Sequence, residues 1–218
     1  APAAIIIIIY IYVKDKYEKE PLKFLLKNFL LGATVSIVIT FALSSIIKQF
    51  FTVTNPSSIL QQFIKAFFVV ALVEEFSKYL IVRYVAQRNK EYNEAFDGIV
   101  YAVVVSMGFA TLENVLYVFQ YGIETGIVRA FTAVPAHTTF GVLMGYYMGK
   151  AKFSKNRFKL NIIGLLIATA FHGAYDFFLF IDFFPGVYIG AFVSLIVGIY
   201  LSKKAIIKHL ETSRFRHS

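Results

Sequence analysis

Residues 96–121 read FDGIVYAVVVSMGFATLENVLYVFQY, a run of 26 residues in which Asp97 and Glu113 are the only formal charges. A helix needs about 20 mostly apolar residues to cross a hydrocarbon core of ~30 Å, and this run is long enough. It sets the class of the protein, an all-α bundle crossing a membrane, and the rest of the chain repeats its pattern.

Outward from that stretch, apolar runs broken by polar clusters give spans at 1–13, 24–51, 59–85, 96–121, 129–150, 160–181 and 183–201. Composition agrees: 58% of the 218 residues are hydrophobic, 16% are charged, and mean hydropathy is +0.66. A soluble domain of this length has no core large enough to hide so much apolar surface. The first run would reach only ~20 Å as a helix, so it is expected to be an incomplete span whose beginning precedes Ala1. Its lack of a charged leader disfavours a signal peptide.

The net charge of +9 does not point to nucleic acid, because the basic residues lie in short clusters between apolar runs. Lys14, Lys16, Lys19 and Lys23 follow the first run, and Arg83, Arg88 and Lys90 follow the third. Lys150, Lys152, Lys155, Arg157 and Lys159 follow the fifth, and Lys203, Lys204, Lys208, Arg214 and Arg216 follow the last. The loops between hold few, with only Arg129 after the fourth run. By the positive-inside rule the N-terminus is expected outside and the C-terminus in the cytoplasm, with residues 1–218 forming one transmembrane domain. The absence of cysteine removes disulfides, thiolate metal sites and a cysteine nucleophile.

Ionisable groups inside spans cost ~2.5–3.5 kcal/mol each on insertion scales, so they need a partner or a function. The third span carries Glu74, Glu75 and Lys78, spaced so that the lysine shares a face with both glutamates. One lysine neutralises one carboxylate and leaves the other. In the fourth span Gly98, Ala102, Ser106, Ala110 and Asn114 recur every four residues and end beside Glu113. The fifth repeats the device with Ala133, His137, Gly141, Gly145 and Gly149, and the sixth with Gly164, Ala168, His172 and Asp176. Small-residue stripes let helices approach closely, which draws the two histidines toward the glutamate-bearing helices.

Glu74, Glu75, Glu113, His137 and His172 together suit activation of water. A buried glutamate can act as the base with histidine assisting. Alternatively Glu75, His137 and His172 form a zinc donor set, with another glutamate as base. The cofactor is thus left open between zinc and a metal-free mechanism. Asp176, at i+4 from His172, can fix its tautomer, and Asn114 can orient a substrate carbonyl or stabilise an oxyanion. A proton-coupled transporter and a non-catalytic membrane scaffold are the competing readings, since Glu/His chains also relay protons.

At these motifs the sequence resembles the PrsW family of bacterial intramembrane proteases, within the wider group of CAAX-prenyl and bacteriocin-processing enzymes. The stretches that carry the resemblance are Glu74-Glu-Phe-Ser-Lys78, Phe96-Asp-Gly-Ile-Val-Tyr101, Gly108-Phe-Ala-Thr-Leu-Glu-Asn114, Val134-Pro-Ala-His137 and His172-Gly-Ala-Tyr-Asp176. The resemblance implies a multi-pass protein of the bacterial cell membrane in which Glu74, Glu75 and His172 are essential and His137 and Glu113 complete the site. It also implies a single-span anti-sigma factor as substrate, cut first on the extracytoplasmic side.

Overall fold

The computed structural model describes residues 2–213 and 215–216. Ala1 of the first run and Arg214 of the basic tail lie outside the described residues. The chain is all-helical, with no strand among the described residues. The helices are α1 (Pro2–Lys14), α2 (Leu22–Ile47), α3 (59–86), α4 (Asp97–Tyr121), α5 (Ile123–Phe131), α6 (Ala133–Lys152), α7 (Arg157–Phe180) and α8 (Ile189–Glu211).

By length and apolar composition, α2, α4, α5 with α6, α7 and α8 can each cross a membrane. Helix α3 has the length, but Lys65, Glu74, Glu75 and Lys78 interrupt its apolar character. It also widens twice into π-turns, at Lys65–Ala71 and Val82–Ala86. Such turns recur at functional sites, and the first ends just before the paired glutamates.

Helix α4 is the axis of the bundle. Residues Asp97 to Ala110 are all buried, because the helix is apolar on every side and neighbours cover each face. The small-residue stripes do the covering. A Cβ at Gly98 would strike the backbone of Gly145 and Gly149 on α6, and one at Gly108 would strike Phe29 of α2. Close approach of this kind explains why these positions carry no side chain. The outer faces of α2 and α8 expose Leu26, Val38, Phe41, Val193, Ile196 and Tyr200, which suits lipid and not water.

Two boundaries differ from those expected. The fifth run, read from Arg129, contains the last turn of α5 and then α6, with a break at Thr132 (φ −118°, ψ −67°). Gly122 at φ 89° reverses the chain ahead of α5, and Pro135 lacks the N–H that would continue α5 into α6. The last run, read as 183–201, becomes a helix only from Ile189, because Pro185 and Gly186 (φ 83°) hold a turn. It then continues to Glu211, since the lysines of its final turns suit a helix C-terminus.

Candidate active site

Five helices bring their polar groups to one place inside the bundle. On α3, Glu74 and Glu75 are buried, and being adjacent on a helix they point about 100° apart. Glu75 turns inward, and its Oε1 accepts from Lys78 Nζ at 2.5 Å and from His172 Nδ1 at 2.8 Å. The lysine is itself buried, donates to His137 Nδ1 at 3.2 Å, and rests over the Phe109 ring at 4.5 Å. Glu74 turns toward a cavity, and its Oε2 is buried without a hydrogen-bond partner. The division between the two carboxylates is thus one anchored through Oε1 to Lys78 and His172 and one turned to the cavity, although Glu75 Oε2 is also buried without a partner.

The histidines stand edge to face, ring centres 5.2 Å apart, and Phe140 stacks on His172 at 4.7 Å. Because Lys78 can only donate, His137 Nδ1 accepts, and its Nε2–H is the donor to Glu113 Oε2 at 3.1 Å. Because the Glu75 carboxylate accepts from His172 Nδ1, the other nitrogen, Nε2, is the one turned to the cavity side. It lies 3.4 Å from Asp176 Oδ2 and 3.9 Å from Glu74 Oε2. A carboxylate behind the imidazole raises its basicity and fixes its orientation. That carboxylate is Glu75, from another helix, where sequence spacing suggested Asp176.

Arg129 of α5 closes the far side, donating to Glu113 Oε2 at 2.6 Å and lying over the Tyr117 ring at 3.7 Å. The cavity these groups share encloses about 500 Å³. Glu74, Glu113, His137, His172 and Asp176 all face it, with Lys65, Tyr117 and Arg129 at its polar wall.

Two residues are placed differently from expectation. Asn114 does not reach the cavity, because it lies one residue, about 100°, beyond Glu113 on α4. Its Nδ2 donates to Gly126 O at 3.1 Å and so anchors α5 instead. At this site the metal-capable trio is Glu74, His137 and His172, whose ligand atoms lie within 4.8 Å of one another. Glu74 stands there in place of Glu75, whose Oε1 is spent on Lys78 and His172. Arg129 and Phe140 escaped the sequence reading: the arginine was counted as a loop charge, and Phe140 is one apolar residue among many. A signal for Arg129 existed, as the lone basic residue between two low-charge segments.

Comparison with known proteins gives the family. The family described as "PrsW family intramembrane metalloprotease" matches residues 20–201. "Protease PrsW" of Geobacillus kaustophilus is 41% identical over 84% of this chain and 79% of its own. The Bacillus subtilis protein of that name is 38% identical over 78% of this chain and 76% of its own. That of Clostridioides difficile is 36% identical over 93% and 84%. No solved structure matches. Neither a transporter nor a scaffold is favoured by these relatives. The chain belongs to the PrsW family, and is a peptide hydrolase that works as a multi-pass protein of the bacterial membrane.

Proposed function

We propose that the chain makes the first, extracytoplasmic-side cut in a membrane-anchored anti-sigma factor, with the water activated between Glu74 and His172. The observation that carries the reading is the spare Oε2 of Glu74, buried without a partner and 3.9 Å from His172 Nε2, in a cavity walled by acid and base groups. A buried carboxylate oxygen left unsatisfied is costly unless something arrives to use it.

Each group then has a task. Glu74 takes the proton of the attacking water, and His172 shares it through Nε2. Glu75 holds His172 by Nδ1, and Lys78 neutralises Glu75 while donating to His137. The proton taken up by Glu74 and His172 is the one returned to the leaving amine, while Glu113, an ionised acceptor of His137 and Arg129, holds those two side chains in place. Arg129, which lines the cavity with Lys65, suits the charge that develops on the scissile carbonyl. Asp176 is a positioning group beside His172.

The residues present fit a metal as the family description implies. Two imidazoles and a carboxylate are a zinc donor set; Glu74 Oε2 has no competing partner, and His137 would exchange its bond to Lys78 or Glu113 for the ion. Glu74, His137 and His172 would hold the ion. A bound zinc would polarise the scissile carbonyl and lower the pKa of water.

The orientation proposed is N-terminus outside and C-terminus cytoplasmic, with about seven spans including α1 and α3, and residues 1–218 acting as one domain. In support, Gln87 ties the basic loops together at one end of the bundle. It meets Arg83 at 2.6 Å and Asn161 at 3.0 Å, and its carbonyl accepts from Lys152 at 2.6 Å. Glu113 lies toward the opposite end of α4, so cleavage falls in the outer half of the membrane.

The test is a proteoliposome assay with a single-span anti-sigma-factor substrate, comparing wild type with Glu74→Gln, Glu75→Gln and His172→Ala, each with and without a zinc chelator. Cleavage lost in all three variants is expected. Undiminished cleavage by Glu74→Gln and His172→Ala would remove this site from the reaction, and insensitivity to the chelator would leave the glutamate and histidine to act without metal.

A further inference from the structure

The stretch Phe96-Asp-Gly-Ile-Val-Tyr101 takes no part in the catalytic cavity, which lies at the other end of α4. Its own surroundings are unusual. Asp97 Oδ2 accepts from the backbone N–H of Asn93 at 2.5 Å and of Glu94 at 2.7 Å, while Oδ1 is buried with no partner. Across from it, the Tyr101 hydroxyl donates to Glu20 Oε2, and Glu20 Oε1 is likewise buried without a partner. Glu18, Glu20 and Asp97 each bring a carboxylate oxygen within 4.8 Å of the others.

A fourth carboxylate supplies the independent observation. Asp15, at the end of α1, is 1% exposed, and neither of its oxygens has a hydrogen-bond partner. Burial and the carboxylates of Asp97, Glu94 and Glu18 push its carboxyl up to about 7, against the pull of the Lys19 charge. Among the described residues no lysine or arginine forms an ion pair with Asp15, Glu18, Glu20 or Asp97. The nearby Lys19 donates to the carbonyl of Tyr12 instead. Burial and the Asp97 carboxylate push the Glu20 carboxyl up to about 10, which describes the cluster when protons alone relieve it.

We propose that Asp15, Glu18, Glu20 and Asp97 form a binding site for a hard divalent cation, Mg2+ or Ca2+, which ties the α1–α2 connection to the start of α4. Oxygen-only donors in this number are what such ions take, and they distinguish the site from the nitrogen-containing donor set at Glu74. An ion held by Glu18, Glu20 and Asp97 meets the spare oxygens of Glu20 and Asp97, with the buried Asp15 carboxylate adding its charge beside them, and it clasps segments that are distant in sequence.

Tyr92 and Tyr101 stack at 5.8 Å beside the cluster, and the chain has no tryptophan, which makes Tb3+ a direct probe through tyrosine-sensitised luminescence. The experiment uses the full chain carrying Glu74→Gln, so that the membrane-embedded donor set adds nothing. Saturable Tb3+ luminescence displaced by Ca2+ or Mg2+ is expected, with affinity falling roughly 10- to 100-fold on Asp97→Asn or Glu20→Gln. Either divalent ion is also expected to raise the melting temperature of Glu74→Gln but not of Glu74→Gln/Asp97→Asn. Asp15→Asn serves as a second variant, since it leaves the Tyr101 contact and the Asp97 turn untouched. Absent luminescence, luminescence indifferent to Asp97→Asn and Asp15→Asn, or a melting temperature unmoved by both ions would overturn the site.

Discussion

The two ends of α4 bury carboxylates in opposite ways. At the Glu113 end each buried acid has a basic neighbour: Glu75 has Lys78 and His172, and Glu113 has Arg129 and His137. Glu74 and Glu75 each keep one oxygen spare. At the Asp97 end, Asp15, Glu18, Glu20 and Asp97 crowd together, and among the described residues none of them forms an ion pair. Burying an ion is costly by several kcal/mol, so both ends are expensive to assemble. The first end carries its compensation in the chain and is ready for proton transfer; the second has to import it. A balanced cluster tunes reactivity, whereas an unbalanced one selects a ligand.

The sharpest break of this comparison is chemical. Glu74→Gln or His172→Ala is expected to lower cleavage by roughly 10²–10⁴-fold while the melting temperature holds, measured on purified protein in liposomes. A comparable loss from Glu20→Gln at saturating Mg2+ would mean that the two ends are one machine.

Next in size is Lys78→Ala, which strands Glu75 in the bundle. Removing one member of a buried ion pair costs about 3–5 kcal/mol. Detergent unfolding should show that loss, and Lys78→Met combined with Glu75→Leu should recover most of it, because the pair is replaceable by packing even though the catalysis is not.

Gly145→Val tests whether the two ends share a scaffold. The new side chain would strike Gly98 and Ile99 of α4, and overpacking of this kind costs about 1–3 kcal/mol, read by the same unfolding measurement. Arg129→Met should cost about 1–3 kcal/mol locally. Its signature is faster amide exchange in 123–131 with 97–110 unchanged. Smallest, and opposite in sign, is Glu20→Gln. In cation-free buffer it should be neutral or stabilise by about 1 kcal/mol, because an amide needs no proton taken up on burial, as the Glu20 carboxyl with its raised pKa does. A loss of stability there would show that Glu20 already has a cationic partner.

Much of this was legible in the sequence for a physical reason. Hydrophobic length marks a span, and a glycine stripe marks the face where two backbones meet, so the approach of α4 to α6 and the inward turn of His137 and His172 could be read locally. What escaped depends on side-chain direction or distant chain. Glu74 and Glu75 are neighbours in sequence, and only the packed bundle shows that one faces Lys78 and the other the cavity. Asn114, beside Glu113 in sequence, reads as a group that orients a substrate carbonyl, yet the helix turns it to Gly126. The joining of Asp15 and Glu20 to Asp97 spans three helices and leaves no periodic trace.

The π-turn at Lys65–Ala71 has one more consequence. Each such turn takes in an extra residue, and a residue on a helix is worth about 100° of rotation. The phase of Glu74 and Glu75 relative to the first half of α3 is therefore set by counting, much as a key's teeth are set by the spacing of its blank. Deleting one residue between 65 and 71 would keep every catalytic side chain and every apolar face in the chain, and would still turn the lock the wrong way.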